Sequence, residues 1–286
     1  MNPILKTLLR FMIATIAIYI LFVGLMVGFQ KKLLFIPASG TYESPDSMGV
    51  SGEDVWMTTE DGVKLHGWYL PNIESEYVIL FSHGNAGNIS MRTELAGMLL
   101  ESRASVFLYD YRGYGLSEGS PGEKGLYTDV RTAVKYLTEE KNIPVENIIL
   151  YGRSLGGAVA AYAATEFGVG GLVLDSAFID IRTVIKDIYP FIPPGLARVD
   201  FNTNRYVNAR EEMPLMILHS PEDRLIGYHH GLELYNNASG PKRFVELQGG
   251  HNNNYSLSKE IFTSSWKDFL NDLEAARRDM KVQREL

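Results

Sequence analysis

There is no cysteine anywhere in the 286 residues. That excludes disulfides, thiolate metal sites and a cysteine nucleophile together. There is no basic excess either. The 27 Lys and Arg are outnumbered by 34 Asp and Glu, a formal net charge of -7, which argues against nucleic acid as a partner. Internal repeats, low-complexity tracts, phosphate loops and dinucleotide fingerprints are all missing. His66, His219, His229 and His230 are scattered, with no helix-spaced pair beside an acid as zinc would need. Any chemistry is therefore expected to use no metal and no organic cofactor. With 45% hydrophobic and 21% charged residues, the composition is that of one larger globular domain with a sizeable core and a short appendage.

One absence is local. Phe11 to Phe29 contains no charged side chain, nineteen residues bracketed by Lys6 and Arg10 before and Lys31 and Lys32 after. At ~1.5 Å per residue, such a helix crosses a hydrocarbon layer. A cleaved signal peptide has a shorter apolar region with a small-residue site close behind; here the nearest such site, Ala38-Ser39-Gly40, lies beyond the lysines. A buried core helix rarely runs so long without charge. The reading is a single-pass anchor and its flank over residues 1–36. The slight excess of positive charge on the amino-terminal side favours an extracytoplasmic domain. Pro37 to Gly52, rich in Pro, Ser and Gly, reads as a linker.

From residue 53 to 286 a single domain is expected. Val55 to Thr59 and Lys64 to Tyr69 flank Asp61-Gly62, a hairpin signal. Then Tyr77–Ser82, Ser105–Tyr109, Asn147–Tyr151, Gly171–Leu174, Leu215–His219 and Arg243–Leu247 form short, near-continuous apolar runs, as strands covered on both faces require. Helical patterns alternate with them; Gly125 to Lys141 carries Leu126, Val130, Val134 and Leu137 on one face. The pattern predicts an α/β fold, a mostly parallel sheet of about eight strands with helices on both faces and chemistry at the carboxyl ends of the strands. From Phe178 to Met213 the connection is too long for this rhythm. It holds the apolar, helix-breaking Tyr189-Pro190-Phe191-Ile192-Pro193-Pro194. A cap over the site, spanning residues 178–213, is preferred to a plain surface insertion with its own helix.

Gly152-Arg153-Ser154-Leu155-Gly156 follows one apolar run and opens a small-residue helix. A nucleophilic serine needs this strand-to-helix turn, with flanking glycines leaving room for the backbone. Its hydroxyl needs a base, and the base needs an acid to hold its tautomer. Downstream, one run ends in Ser220-Pro221-Glu222-Asp223 and the next in Gln248-Gly249-Gly250-His251. Those positions make His251 the base and Asp223 the acid. Glu222 and Asp175 compete for the acid's place, Asp175 being the better candidate for a structural part near Ser176-Ala177. His83-Gly84-Asn85-Ala86-Gly87-Asn88 follows an earlier run; the backbone N–H groups of Asn85 and Leu155 are the expected oxyanion hole. His83 is read as pinning that loop, and Asp110 to Ser117 as a structural turn in which Asp110 or Arg112 braces loops near the site.

These motifs, Ser82 to Asn88, Asp110-Tyr111-Arg112-Gly113-Tyr114-Gly115, Gly152 to Ala160 and Gly250-His251-Asn252, resemble those of the alpha/beta-hydrolase superfamily. The layout of an apolar run followed by Leu33-Leu34-Phe35-Ile36-Pro37 is similar to the single-pass, membrane-anchored abhydrolase-domain branch, which includes protein depalmitoylases. The resemblance implies a serine hydrolase and places Asn252 in the family's histidine loop. The expected partners are an acyl ester or thioester and, through the first helix, a lipid bilayer. An aminopeptidase-like activity is the enzymatic alternative, and a catalytically silent tethered scaffold the non-enzymatic one.

Overall fold

Strands built from runs such as Val-Ile-Leu-Phe-Ser bury every side chain, so they need cover on both faces. The computed structural model supplies it. It describes residues 2–41, 43–208 and 212–285; Met1 of the expected anchor, Tyr42 of the expected linker, residues 209–211 of the expected cap and Leu286 lie outside them. The strands are β1 (Glu53–Thr58), β2 (Lys64–Leu70), β3 (Val78–Ser82), β4 (Ser105–Tyr109), β5 (Ile148–Arg153), β6 (Gly171–Asp175), β7 (Leu215–His219) and β8 (Lys242–Glu246). They form one eight-stranded sheet in the order β8-β7-β6-β5-β3-β4-β2-β1. The β1–β2 hairpin and the β2–β4 pair are antiparallel, and every other pair is parallel. This is the mixed, mostly parallel sheet that the sequence predicts.

The longer helices are α1 (Pro3–Gly28), α2 (Gln30–Leu34), α3 (Thr93–Leu100), α4 (Glu123–Lys135), α5 (Leu155–Glu166), α6 (Ile181–Ile188), α7 (Thr203–Val207), α8 (Tyr228–Asn237), α9 (Asn254–Leu257) and α10 (Lys259–Glu285). Successive strand residues point to opposite faces, so two cores form. Leu80, Phe107, Leu150 and Leu172 meet Leu126 and Val130 of α4 and the alanines of α5. Ile79, Leu108, Tyr151 and Val173 meet Leu95 and Leu99 of α3 and Trp266 and Phe269 of α10. The helix expected to reach Lys141 ends its regular turns at Lys135. It closes in a wider turn over Tyr136–Glu140, with the Lys141 N–H bonded to the Tyr136 carbonyl.

The amino-terminal part behaves differently. No side chain of α1 is buried. Just after it, Ile36 and Pro37 pair in parallel with Ala86 and Gly87, and the Asn88 side chain donates to the carbonyls of Ala38 and Gly40. The beginning of the segment expected as a linker is thus hydrogen-bonded to the domain.

Candidate active site

Strand β5 turns into α5 at Ser154, whose backbone sits at φ 53°, ψ -120°. A non-glycine residue holds such a conformation only when its surroundings enforce it. Here the Ser154 N–H donates to the Asp175 carbonyl, and its own carbonyl accepts from Gly157. The turn is so tight that a Cβ on Gly156 would lie 1.9 Å from the Ser82 carbonyl oxygen. This explains the small residues around the serine and aims its hydroxyl out at the carboxyl edge of the sheet.

The loops after β7 and β8 bring the other two groups there. His251 Nε2 lies 3.1 Å from Ser154 Oγ, and His251 Nδ1 lies 2.7 Å from Asp223 Oδ2. The other Asp223 oxygen accepts the N–H groups of Leu225 and Ile226, each at 2.9 Å. Burial pushes the Asp223 pKa up, but the His251 hydrogen bond and these two N–H groups outweigh it, and the net shift is down. An ionised Asp223 accepts the hydrogen bond of Nδ1–H, which keeps the proton on Nδ1 and leaves the Nε2 lone pair facing the serine. His219, at the end of β7, bonds through Nε2 to the Ile226 carbonyl and braces the same loop.

Asp175, the rival acid, is engaged elsewhere. It accepts from the Tyr151 hydroxyl, the Ser176 hydroxyl, the Asn254 amide and the Arg153 guanidinium. Arg153 also donates to the His251 carbonyl and lies over the Tyr255 ring, 4.9 Å from its centroid. It therefore ties the serine turn to the histidine loop. Glu222 bonds the Gly249 N–H.

The loop after β3 comes up beside Ser154, held by its carbonyls. The Tyr111 hydroxyl donates to His83, and the Tyr114 hydroxyl and the Ile36 N–H donate to Asn85. The Asn85 side chain reaches the carbonyl of Leu34, the last residue of α2. Asp110 accepts the Ile89 N–H, and Arg112 pairs with Asp61 and Asp129. Both brace loops, as the sequence predicts.

Beside the serine is a cavity of about 510 Å³. Ser154, His251, Asn85, Leu155, Asn252 and Arg92 are among the residues that line it. Met26, Val27, Leu33 and Leu34 from α1 and α2, with Ile181, Ile185 and Ile188 of α6, give it a largely apolar lining. Among the described residues, no Asp or Glu lines it.

A protein-family model described as serine aminopeptidase, S33, matches residues 73–209. The Arabidopsis thaliana alpha/beta hydrolase domain-containing protein WAV2 is 30% identical, over 88% of this chain and 90% of its own length. The chain belongs to the alpha/beta-hydrolase superfamily. An uncharacterized membrane protein of Saccharomyces cerevisiae, YNL320W, is 31% identical over 89% of this chain and 93% of its own length. Among solved structures, the Pyrococcus furiosus esterase Pf2001 shares the fold, with a TM-score of 0.71 at 23% identity over 84% of this chain and 98% of that one. With Ser154, His251 and Asp223 joined by hydrogen bonds in this fold, the site is that of a serine hydrolase.

Two features of this alpha/beta hydrolase escaped the sequence. Asp187 of α6 meets His229 and His230 of α8 at 3.0 and 3.2 Å. His230 Nδ1 accepts the Ile179 N–H, so its Nε2 carries the proton and donates to Asp187, tying α6 to α8. The second feature is the burial of His83 against Asp110; the ring itself pins its loop, as expected. Its Nδ1 donates to the Gly84 carbonyl, while its Nε2 has no hydrogen-bond partner among the described residues and lies 3.5 Å from Asp110. Burial holds His83 down to about 3 and Asp110 up to about 7. A folded-state pKa below the unfolded value of 6.5 gives stability that is present above pH 6.5 and lost as pH falls toward 3. For this fully buried ring that is on the order of 5 kcal/mol. Asp110, shifted upward, runs the opposite way and loses stability as pH rises through about 7. The stability difference between wild type and His83→Gln, read from urea midpoints, should therefore shrink as pH falls from 6.5 toward 3. A constant difference would show that His83 titrates normally.

Proposed function

We propose that this chain is a membrane-anchored serine hydrolase that cleaves ester or thioester bonds of lipids, proteins or small molecules carrying an apolar acyl chain. The observation that carries the reading is the hydrogen-bonded Ser154–His251–Asp223 triad, whose serine and histidine line a cavity with a largely aliphatic lining. His251 Nε2 takes the Ser154 proton as Oγ attacks the carbonyl carbon. The N–H groups of Asn85 and Leu155 hold the oxyanion, a contribution of about 3 kcal/mol for each donor. His251 returns the proton to the leaving alcohol or thiol. Water then repeats the attack on the acyl-enzyme, through the same imidazole, and releases the acid.

The anchor reading rests on α1. It is long and apolar enough to cross a membrane, and almost none of it is buried in the protein, unlike a core helix. Its last turns line the catalytic cavity, a part that a cleaved leader would not play. The yeast relative's description as a membrane protein agrees. In this reading residues 1–36 form the anchor and its flank, 37–52 the connection, and 53–286 the catalytic domain, placed outside the cytoplasm. Residues 178–213 form the cap, whose α6 roofs the cavity.

The comparisons favour the peptidase alternative over the ester reading, because the matching family model is described as a serine aminopeptidase. The relay serves both, since an amide is cleaved by the same steps. An aminopeptidase must also neutralise the substrate's free ammonium group, and no carboxylate lines this cavity among the described residues. That is why the acyl ester is preferred here. The full-length protein in detergent micelles, given acyl esters, acyl thioesters and aminoacyl amides in parallel, separates the two. The expected result is a kcat/KM for medium- or long-chain esters about a hundredfold above that for aminoacyl amides. The reverse order would replace the ester reading with the peptidase one.

A further inference from the structure

The tip of the segment between β6 and β7 is fastened to the interior of α1. The Tyr19 hydroxyl donates to the Phe191 carbonyl at 2.8 Å, and the Phe22 and Phe191 rings are 5.9 Å apart. Nearer the helix end, the Gln30 side chain donates to the Leu196 carbonyl and accepts the Arg198 N–H. Tyr19 and Phe22 precede the end of α1 at Gly28 by nine and six residues, so Phe191 lies about 9 to 14 Å back along the helix from that end. In a helix that crosses a bilayer, this depth is past the headgroups and within the hydrocarbon. Lys31 and Lys32, just beyond the helix end, are placed for the lipid phosphates.

The segment is built for such a place. From Ile188 to Ala197 it has no charged side chain, and Tyr189, Phe191 and Leu196 are 40%, 51% and 42% exposed. Hydrocarbon tolerates irregular backbone only where its polar groups are satisfied. Pro190, Pro193 and Pro194 have no N–H to satisfy. The N–H groups of Tyr189, Ile192 and Leu196 bond to the carbonyls of Ile185, Tyr189 and Pro193. The Phe191 and Leu196 carbonyls accept hydrogen bonds from Tyr19 of α1 and from Gln30.

We propose that this tip is immersed in the same leaflet as the second half of α1, and that the catalytic cavity between them opens sideways into the lipid. Met26 and Val27 on one side and Ile188 and Tyr189 on the other line that passage. An acyl chain then slides from the leaflet to Ser154 without crossing water. This rests on the anchor and hydrolase readings above.

The test uses the full-length chain in phosphatidylcholine vesicles. Phe191 is not among the cavity-lining residues, so Phe191→Trp reports on its surroundings alone, against the baseline of Trp56, Trp68 and Trp266. The added emission should be blue-shifted and quenched by phosphatidylcholine brominated in its acyl chains. Water-like emission that brominated lipid does not quench, from protein that sediments with the vesicles, overturns the immersion. A functional arm uses the Phe191→Glu, Leu196→Glu double variant. Its turnover of a short soluble ester should match wild type, while turnover of a long-chain fluorogenic ester dissolved in the vesicles falls about tenfold or more. Equal turnover of the vesicle-borne ester by variant and wild type overturns the sideways route. Failure of the wild type to react with a fluorophosphonate would sink the hydrolase reading and the route with it, leaving quenching to decide the immersion. Failure to sediment with vesicles would sink the anchor reading, and immersion with it.

Discussion

Replacing Ser154 by alanine should lower kcat about a million-fold for any substrate the enzyme accepts, because the nucleophile and its base act as a unit. Covalent labelling by a fluorophosphonate should vanish with it. The fold should survive. The Ser154 side chain bonds to His251, and the turn is held by backbone bonds to Asp175 and Gly157, which alanine keeps. What remains is the small acceleration supplied by binding and the oxyanion donors. Purified wild-type and Ser154→Ala proteins, compared by labelling and by circular dichroism, give the answer. Labelling of the alanine variant would place the nucleophile elsewhere. Absence of labelling in folded wild type would leave the catalytically silent scaffold standing.

The second large effect separates two buried aspartates. Asp223→Asn should lower kcat about ten-thousand-fold. The amide no longer holds His251 as the Nδ1–H tautomer, so the lone pair facing Ser154 is lost. Its stability should change far less than its rate. Asp175→Asn should show the opposite profile. Asp175 and Arg153 form a buried ion pair. Removing the negative partner leaves a guanidinium uncompensated, a loss of about 3 kcal/mol or more, while the kcat of the folded fraction stays much nearer wild type. Rates and urea midpoints measured on both variants decide the matter. If Asp175→Asn proves the slower enzyme, Asp223 is not the orienting acid.

These two aspartates show what the sequence displays and what it hides. Ser154 was legible because everything that marks it is local: an apolar run, a glycine, a serine, a glycine and a helix. His251 and Asp223 were legible through one further step, since parallel strands deliver their following loops to the same edge. The rivalry of Asp175 was not resolved by pattern, because its claim fails only when its partners Tyr151, Arg153 and Asn254 are known. Arg153 itself sits inside the serine motif, yet its bond to His251 spans 98 positions. No spacing rule reaches that far. The Asp187 pairing with His229 and His230 was hidden for the same reason. In the fold, element type and order were readable from periodicity, while the close of α4 at Lys135 depends on the wider turn packed after it.

The N-terminal helices carry a practical consequence. Leu33 and Leu34 wall the catalytic cavity along with Met26 and Val27, and the carbonyl of Leu34 holds the Asn85 side chain. Trimming the chain at Pro37 to obtain a convenient soluble protein would therefore remove part of the lining of the cavity at Ser154 and a brace of the loop next to the serine. Activity profiles gathered on such a fragment would describe an enzyme with an incomplete cavity, and its chain-length preference would differ from that of the intact protein.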